Sequence, residues 1–212
     1  MSLPMSLLII AAYLLGSLSF AVIVSKTMGL ADPRTYGSNN PGATNVLRSG
    51  NKKAAALTLL GDALKGWVAV FAAQSIAPLI GLGDAGSPSY TLAIAAVMIA
   101  VTIGHMWPIF FKFKGGKGVA TAAGILLALN LWLGLATLAI WVFVAKVLKI
   151  SSLSALIAAA ATPLLTALLL PNQSVYLGAV TVIAVLLIQR HKQNIIGLMK
   201  GKESKIGDKR QP

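Results

Sequence analysis

The sequence predicts an all-α integral membrane protein with seven transmembrane helices, and three observations carry that prediction. Of its 212 residues, 57% are hydrophobic and only 11% charged, with a mean hydropathy of +0.81, too little polar surface to cover a soluble chain. Several apolar runs are long enough to cross about 30 Å of hydrocarbon. Lysine and arginine gather almost entirely between alternate runs.

The first run, Met5–Ser25, has no basic leader and no convincing small-residue cleavage site, so it reads as a retained span. Ala54–Ala77 and Tyr90–Trp107 follow, and Ser152–Leu170 and Val175–Ile188 close the series. Between them, Val119–Leu148 is too long for one upright span. Lys112, Lys114 and Lys117 precede that stretch, and Lys146 and Lys149 end it. The positive-inside rule places both ends in the cytoplasm and requires an even number of crossings. The stretch therefore divides near Asn130–Leu131 into two short helices.

Seven spans follow, with the N-terminus outside and the C-terminus cytoplasmic. The inner segments Lys26–Lys53, Pro108–Gly118, Val147–Ser151 and the chain from Gln189 hold nearly all the basic residues. The outer segments Pro78–Ser89, the Asn130 turn and Pro171–Ser174 hold no Lys or Arg and a single acid, Asp84. Lys65 inside the second span and Lys146 at the end of the fifth are the exceptions. Asp62 and Lys65, three apart within a span, read as a self-compensated ion pair facing the bundle. One polytopic membrane domain covers 1–212, with 199–212 as a loose cytoplasmic tail.

The net charge of +13, from 18 basic residues against five acids, fits membrane-loop bias and an anionic substrate. No loop is long enough to hold a nucleic-acid-binding domain. The chain has no cysteine, which excludes disulfides, thiolate metal sites and a cysteine nucleophile.

Three segments of the inner face carry chemistry. The first, Gly37-Ser38-Asn39-Asn40-Pro41-Gly42-Ala43-Thr44-Asn45-Val46-Leu47-Arg48, joins glycine turns and neutral donors to an arginine fork suited to phosphate. Ordinary membrane loops also use Gly, Asn and Pro, but the density of donors before one arginine favours function. The second runs from Gly104-His105 through Trp107-Pro108 to Lys114-Gly115-Gly116-Lys117-Gly118 and Thr121. Its aromatic and lysine residues suit interfacial anchoring, whereas the glycines around Lys117 suit an anion site at a helix N-terminus. It is not a nucleotide P-loop, because Lys117 is followed by Gly118 where Ser or Thr would hold magnesium. The third contains Arg190-His191-Lys192-Gln193-Asn194, in which His191 and Asn194 share a helix face. A structural histidine and topological basic residues are the plain alternatives there.

Together the three segments resemble the bacterial acyl-phosphate:glycerol-3-phosphate acyltransferases, the PlsY-type family. Length, span count and motif order agree over essentially the whole chain. One departure stands out: Gly197 occupies a place where the family usually has arginine, with Lys200 or Lys202 as substitutes. The resemblance implies acyl transfer from acyl phosphate to the 1-hydroxyl of glycerol 3-phosphate, giving lysophosphatidic acid and inorganic phosphate. It implies no cofactor, no metal, a bacterial inner-membrane location with a cytoplasmic active site, membrane lipids as surroundings, and coupling to the enzyme that forms acyl phosphate.

By motif position, the expected catalytic residues are Ser38, Lys117, His191 and Asn194. The expected substrate- and phosphate-binding residues are Gly37, Asn40, Gly42, Thr44, Asn45, Arg48, His105, Gly115, Gly116, Gly118, Thr121 and Arg190. Ser38 and Lys117 would hold a phosphate and draw charge from the tetrahedral oxyanion. Arg48 and Asn194 would orient the second phosphate and the glycerol. His191 is a candidate base, but the donor's own phosphate can also take the hydroxyl proton. The His-x4-Asp pair of soluble-type acyltransferases is absent, since Phe110 and Ile196 stand five positions after the two histidines. A transporter would instead place polar groups at the bilayer midplane in repeated halves, and a lipid binder would need only the basic residues.

Overall fold

The computed structural model describes residues 2–206. Those residues fold as ten α-helices and two short 3-10 turns: α1 (Leu3–Gly16), α2 (Phe20–Thr27), α3 (Ala43–Leu47), α4 (Lys52–Ile76), α5 (Pro88–Met106), α6 (Val119–Leu129), α7 (Leu131–Leu148), α8 (Ser151–Leu169), α9 (Ser174–Arg190) and α10 (Lys192–Met199). Side chains cap the otherwise unpaired amides at the starts of α4, α5 and α7. Asn51 accepts from Ala54 N at 2.9 Å to start α4. Ser87 caps α5, with Pro88 in its first turn.

The split expected near Asn130 is present. Asn130 adopts an extended backbone, φ −157°, which ends α6, and its side chain accepts from Leu133 N at 2.9 Å to begin α7. Lys149, with φ 57°, ends α7. The expected first span is broken, whereas the expected last span, Val175–Ile188, lies whole within α9 and the bend follows it. The bend is 43° between α1 and α2, and 58° between α9 and α10. Ser17 turns its hydroxyl back onto the Tyr13 carbonyl at 2.9 Å where α1 stops.

Among the described residues, four helices are long and apolar enough to cross a membrane, or six if each bent pair is one span. α6, with 11 residues, extends about 16 Å and is shorter than a full crossing. Lipid supplies no hydrophobic drive between helices, so association leans on close packing, which small residues allow. A Cβ on Gly66 would overlap the Thr121 carbonyl, and one on Gly124 the Ala63 carbonyl, so α4 and α6 meet backbone to backbone. Gly16 and Gly104 do the same for α1 and α5. α5 lies at the centre, packed on α1, α4 and α9, while α6, α7, α8 and α9 follow one another around an internal space.

The tail expected to be loose is partly fixed. Glu203, Ser204 and Ile206 fold back to Asn194, Arg48 and the Lys149 carbonyl. The carboxylate finds donors in the bundle that are better than those of a free tail. Residues 207–212 of that expected tail, Asp208 among them, and Met1 lie outside the described residues.

Candidate active site

The loop of the first segment is shaped from within by Asn45. Its amide donates to the Pro33 carbonyl at 2.7 Å and the Tyr36 carbonyl at 3.1 Å, and its Oδ1 accepts from Ser38 N at 3.0 Å. That leaves Asn45 buried as the loop's clamp, at the edge of the chamber lining. Gly37, at φ 59°, makes room for it, since a Cβ would strike Asn45 Oδ1. The clamp leaves Ser38, Asn40, Gly42, Thr44 and Arg48 along one side of a chamber of about 550 Å³. Arg48 Nη2 reaches Ser204 at 2.7 Å, and Thr44 Oγ1 stands 3.3 Å from Ser151 Oγ.

The second segment supplies the opposite wall. Gly118, at φ 89°, caps α6 and brings Lys117, Val119 and Ala120 into the lining. Lys117 Nζ donates to Asn194 Oδ1 at 2.6 Å. Burial pushes Lys117 below the ordinary lysine value; Glu203 opposes the shift, and Arg190 and Arg48 add to it.

The third segment comes from the α9–α10 bend. His191 is 3% exposed and places Nδ1 2.8 Å from the Leu187 carbonyl. A carbonyl only accepts, so Nδ1 carries the proton and Nε2 presents its lone pair. Burial pushes the imidazole down to about 4, against the pull of that carbonyl, and His191 is therefore neutral near neutral pH. Asn194 Nδ2 donates to both oxygens of Glu203 at 3.1 Å, and Ser152 Oγ donates to the same carboxylate.

Below this polar mouth the chamber turns apolar. Ile125 and Leu126 of α6, Leu138 of α7, Ala155, Ala158 and Ala159 of α8, and Val180, Ile183 and Ala184 of α9 line it. Ala56 and Leu59 of α4 and Val142 of α7 line it while being exposed themselves, so the chamber opens sideways over the small Ala120–Ala123 face of α6.

Of the residues expected at the site, Ser38, Asn40, Gly42, Thr44, Asn45, Arg48, His105, Lys117, Gly118, His191 and Asn194 line this one space. Thr121 does not; it is fully buried against Gly66 of α4, where the close helix crossing puts it. Arg190 is likewise corrected: it donates to the carbonyls of Gly115 and Gly116 at 2.9 and 3.2 Å, holding the loop from behind. Those two glycines are buried and stand behind the lining. Ser151, Ser152, Glu203 and Ser204 line the mouth unforeseen. Paired hydroxyls at a helix start beside Lys149 were a signal for the first two. At the family's departure, a Cβ on Gly197 would come within 2.8 Å of Glu203 Oε1. Lys200 and Lys202 are exposed and do not line the chamber.

Fold and site define a multi-pass membrane protein in which a mouth carrying Arg48 and Lys117 opens into an apolar chamber. Residues 6–201 match the family model described as glycerol-3-phosphate acyltransferase. The chain is 60% identical over 201 residues to the glycerol-3-phosphate acyltransferase of Chromobacterium violaceum, covering 95% of this chain and 94% of that one. It is 59% identical over 199 residues to the protein of the same name from Neisseria gonorrhoeae, covering 94% and 96%. Two crystal structures of PlsY (YgiH), an integral membrane glycerol 3-phosphate acyltransferase, are similar throughout. The glycerol 3-phosphate form has a TM-score of 0.83 at 34% identity, and the lysophosphatidic acid form 0.82 at 33%, each covering 96% of both chains. The chain belongs to the glycerol-3-phosphate acyltransferase family.

Proposed function

We propose that this protein transfers a fatty acyl group from acyl phosphate to the 1-hydroxyl of glycerol 3-phosphate, at the cytoplasmic side of a bacterial inner membrane. One observation carries the reading: a single chamber joins a mouth of Ser38, Arg48, Lys117 and Asn194 to an apolar interior open to lipid. Two phosphates fit the mouth, and an acyl chain fits the interior.

The hydroxyl oxygen attacks the acyl carbonyl carbon, the bond from that carbon to the phosphate oxygen breaks, and inorganic phosphate leaves with the hydroxyl proton. Lys117 and Ser38 neutralise charge on the donor phosphate and on the tetrahedral oxyanion. Arg48, with its planar fork, and Asn194 hold the second phosphate and the glycerol. His191, neutral and with Nε2 free to accept, positions the hydroxyl. Its depressed basicity supports the donor phosphate as the proton acceptor. Substrates replace Ser204 at Arg48 and loosen Glu203 at Asn194.

Seven spans with the amino end outside remain the proposed topology, with α6 as the short fourth span. An accessibility reporter at Asn130 should read external, and a cytoplasmic reading would remove that topology. The reaction is tested by mixing purified protein with acyl phosphate and glycerol 3-phosphate. Inorganic phosphate and lysophosphatidic acid should appear in equal amounts; phosphate without the lipid product would contradict acyl transfer. The same assay with the acyl-phosphate-forming enzyme added tests whether the two are coupled.

A further inference from the structure

Below the mouth lies a second ionic cluster for which the proposed chemistry has no use. Asp62 and Lys65 are each 2% exposed and stand 2.8 Å apart, Oδ1 to Nζ. Lys65 Nζ also donates to the Leu18 carbonyl at 2.7 Å, in the break between α1 and α2. His105, near the end of α5, turns Nδ1 toward Asp62 Oδ1 at 3.6 Å. Its other ring nitrogen abuts the glycine loop, because a Cβ on Gly116 would overlap Nε2. Gly116 N in turn donates to the His105 carbonyl at 3.1 Å. Arg190 grips the carbonyls of Gly115 and Gly116 while its guanidinium lies 5.4 Å from the centre of the Trp107 ring.

Charges sealed inside a membrane bundle are costly, and an apolar pair of similar volume packs as well. The use of the cluster must lie in what it touches. Asp62 and His105 reach the lining of the chamber, and the His105 ring touches the pair of residues before Lys117.

We propose that Asp62, Lys65 and His105 form a positioning frame for the Gly115–Gly116 loop. Lys65 anchors the frame to the α1–α2 break, Asp62 sets His105, and the His105 ring bears on Gly116. The place of the loop fixes Lys117 Nζ and the start of α6, so the frame acts through the loop and not on substrate. His105 is thereby moved from the binding residues to the positioning residues. The inference rests on the phosphate-binding role proposed above for the mouth.

A double-mutant cycle tests it, read both as turnover and as the rise in melting temperature that glycerol 3-phosphate gives the purified protein. Gly116→Ala should lower turnover, and the affinity that the melting-temperature rise reports, by about tenfold in an otherwise native chain, but by no more than about twofold once His105→Ala has removed the ring. Equal losses in the two backgrounds would overturn the frame. Because a single change at Asp62 or Lys65 strands its partner, the second arm uses Asp62→Leu with Lys65→Leu. That chain should melt near the native temperature and yet show a KM for glycerol 3-phosphate raised by about tenfold, the loss of one charge-assisted contact. A native KM in this stable double variant would also overturn the frame. A native chain that binds glycerol 3-phosphate but makes no lysophosphatidic acid would overturn the proposed reaction alone, and the binding cycle would still judge the frame.

Discussion

The mouth and the floor beneath it both hold charges, and they hold them in opposite ways. At the mouth, Lys117 and Arg48 are partnered by Asn194 and Ser204, groups at the surface of a chamber that substrates can enter. In the floor, Asp62 and Lys65 partner each other and a backbone carbonyl, with almost no exposed surface. A phosphate can displace the first set of contacts, whereas the Asp62 carboxylate, although it lines the same chamber, is already held by Lys65. The difference separates chemistry from scaffolding: variants at the mouth should cost rate, and single variants that strand one partner of the floor pair should cost stability.

The largest effect is expected for Lys117→Ala. Losing a donor aimed at developing charge lowers turnover by about 10²–10³-fold, and the melting temperature should hardly move. A variant that lost its fold along with its rate would erase the distinction from the floor. Asp62→Leu is the converse. It strands a buried ammonium and should cost about 3–5 kcal/mol of stability, seen as early unfolding in detergent. A native melting curve would mean that Lys65 finds another partner.

Glu203→Ala sharpens the boundary between the two regions. Glu203 ties α10 to α8 through Asn194 and Ser152, and it lies beside Lys117. Removing it should cost about 1–3 kcal/mol and free the segment 200–206 to proteolysis. Unchanged protease resistance would show that the carboxylate holds nothing in place.

Much of this architecture is legible in the sequence, because hydrophobic length and the placement of Lys and Arg report directly on membrane helices. Even the break near Asn130 follows from the length of Val119–Leu148 taken with the lysines at its two ends. The gathering of Ser38, Arg48, Lys117, His191 and Asn194 follows from their sharing one side of the membrane. Side-chain direction does not follow. Thr121 and Arg190 stand in the same polar segments as the mouth residues, and only tertiary packing turns them away from the chamber. The bend after Gly16 is hidden because Ser17-Leu18-Ser19 is compatible with a continuous span. Glu203 is missed for a different reason: an acid in a basic, aperiodic tail gives no sign of the fold-back that brings it to Ser152.

The central claim is that the mouth holds a phosphate which itself removes the hydroxyl proton, and the pH–rate profile of the native chain beside His191→Gln tests it most directly. His191 in the fold titrates at about 4, well below a phosphate monoester's second ionisation at about 6. The rate should therefore rise with pH through the phosphate range in both proteins, with a lower plateau in the variant. His191 also binds a proton more readily unfolded than folded, so native stability should fall as pH drops from about 6.5 toward 4, and the measurement belongs above that window. Persistence of the acidic limb in His191→Gln is the predicted result. Its disappearance, with glycerol 3-phosphate still bound normally, would contradict the account and make His191 the base.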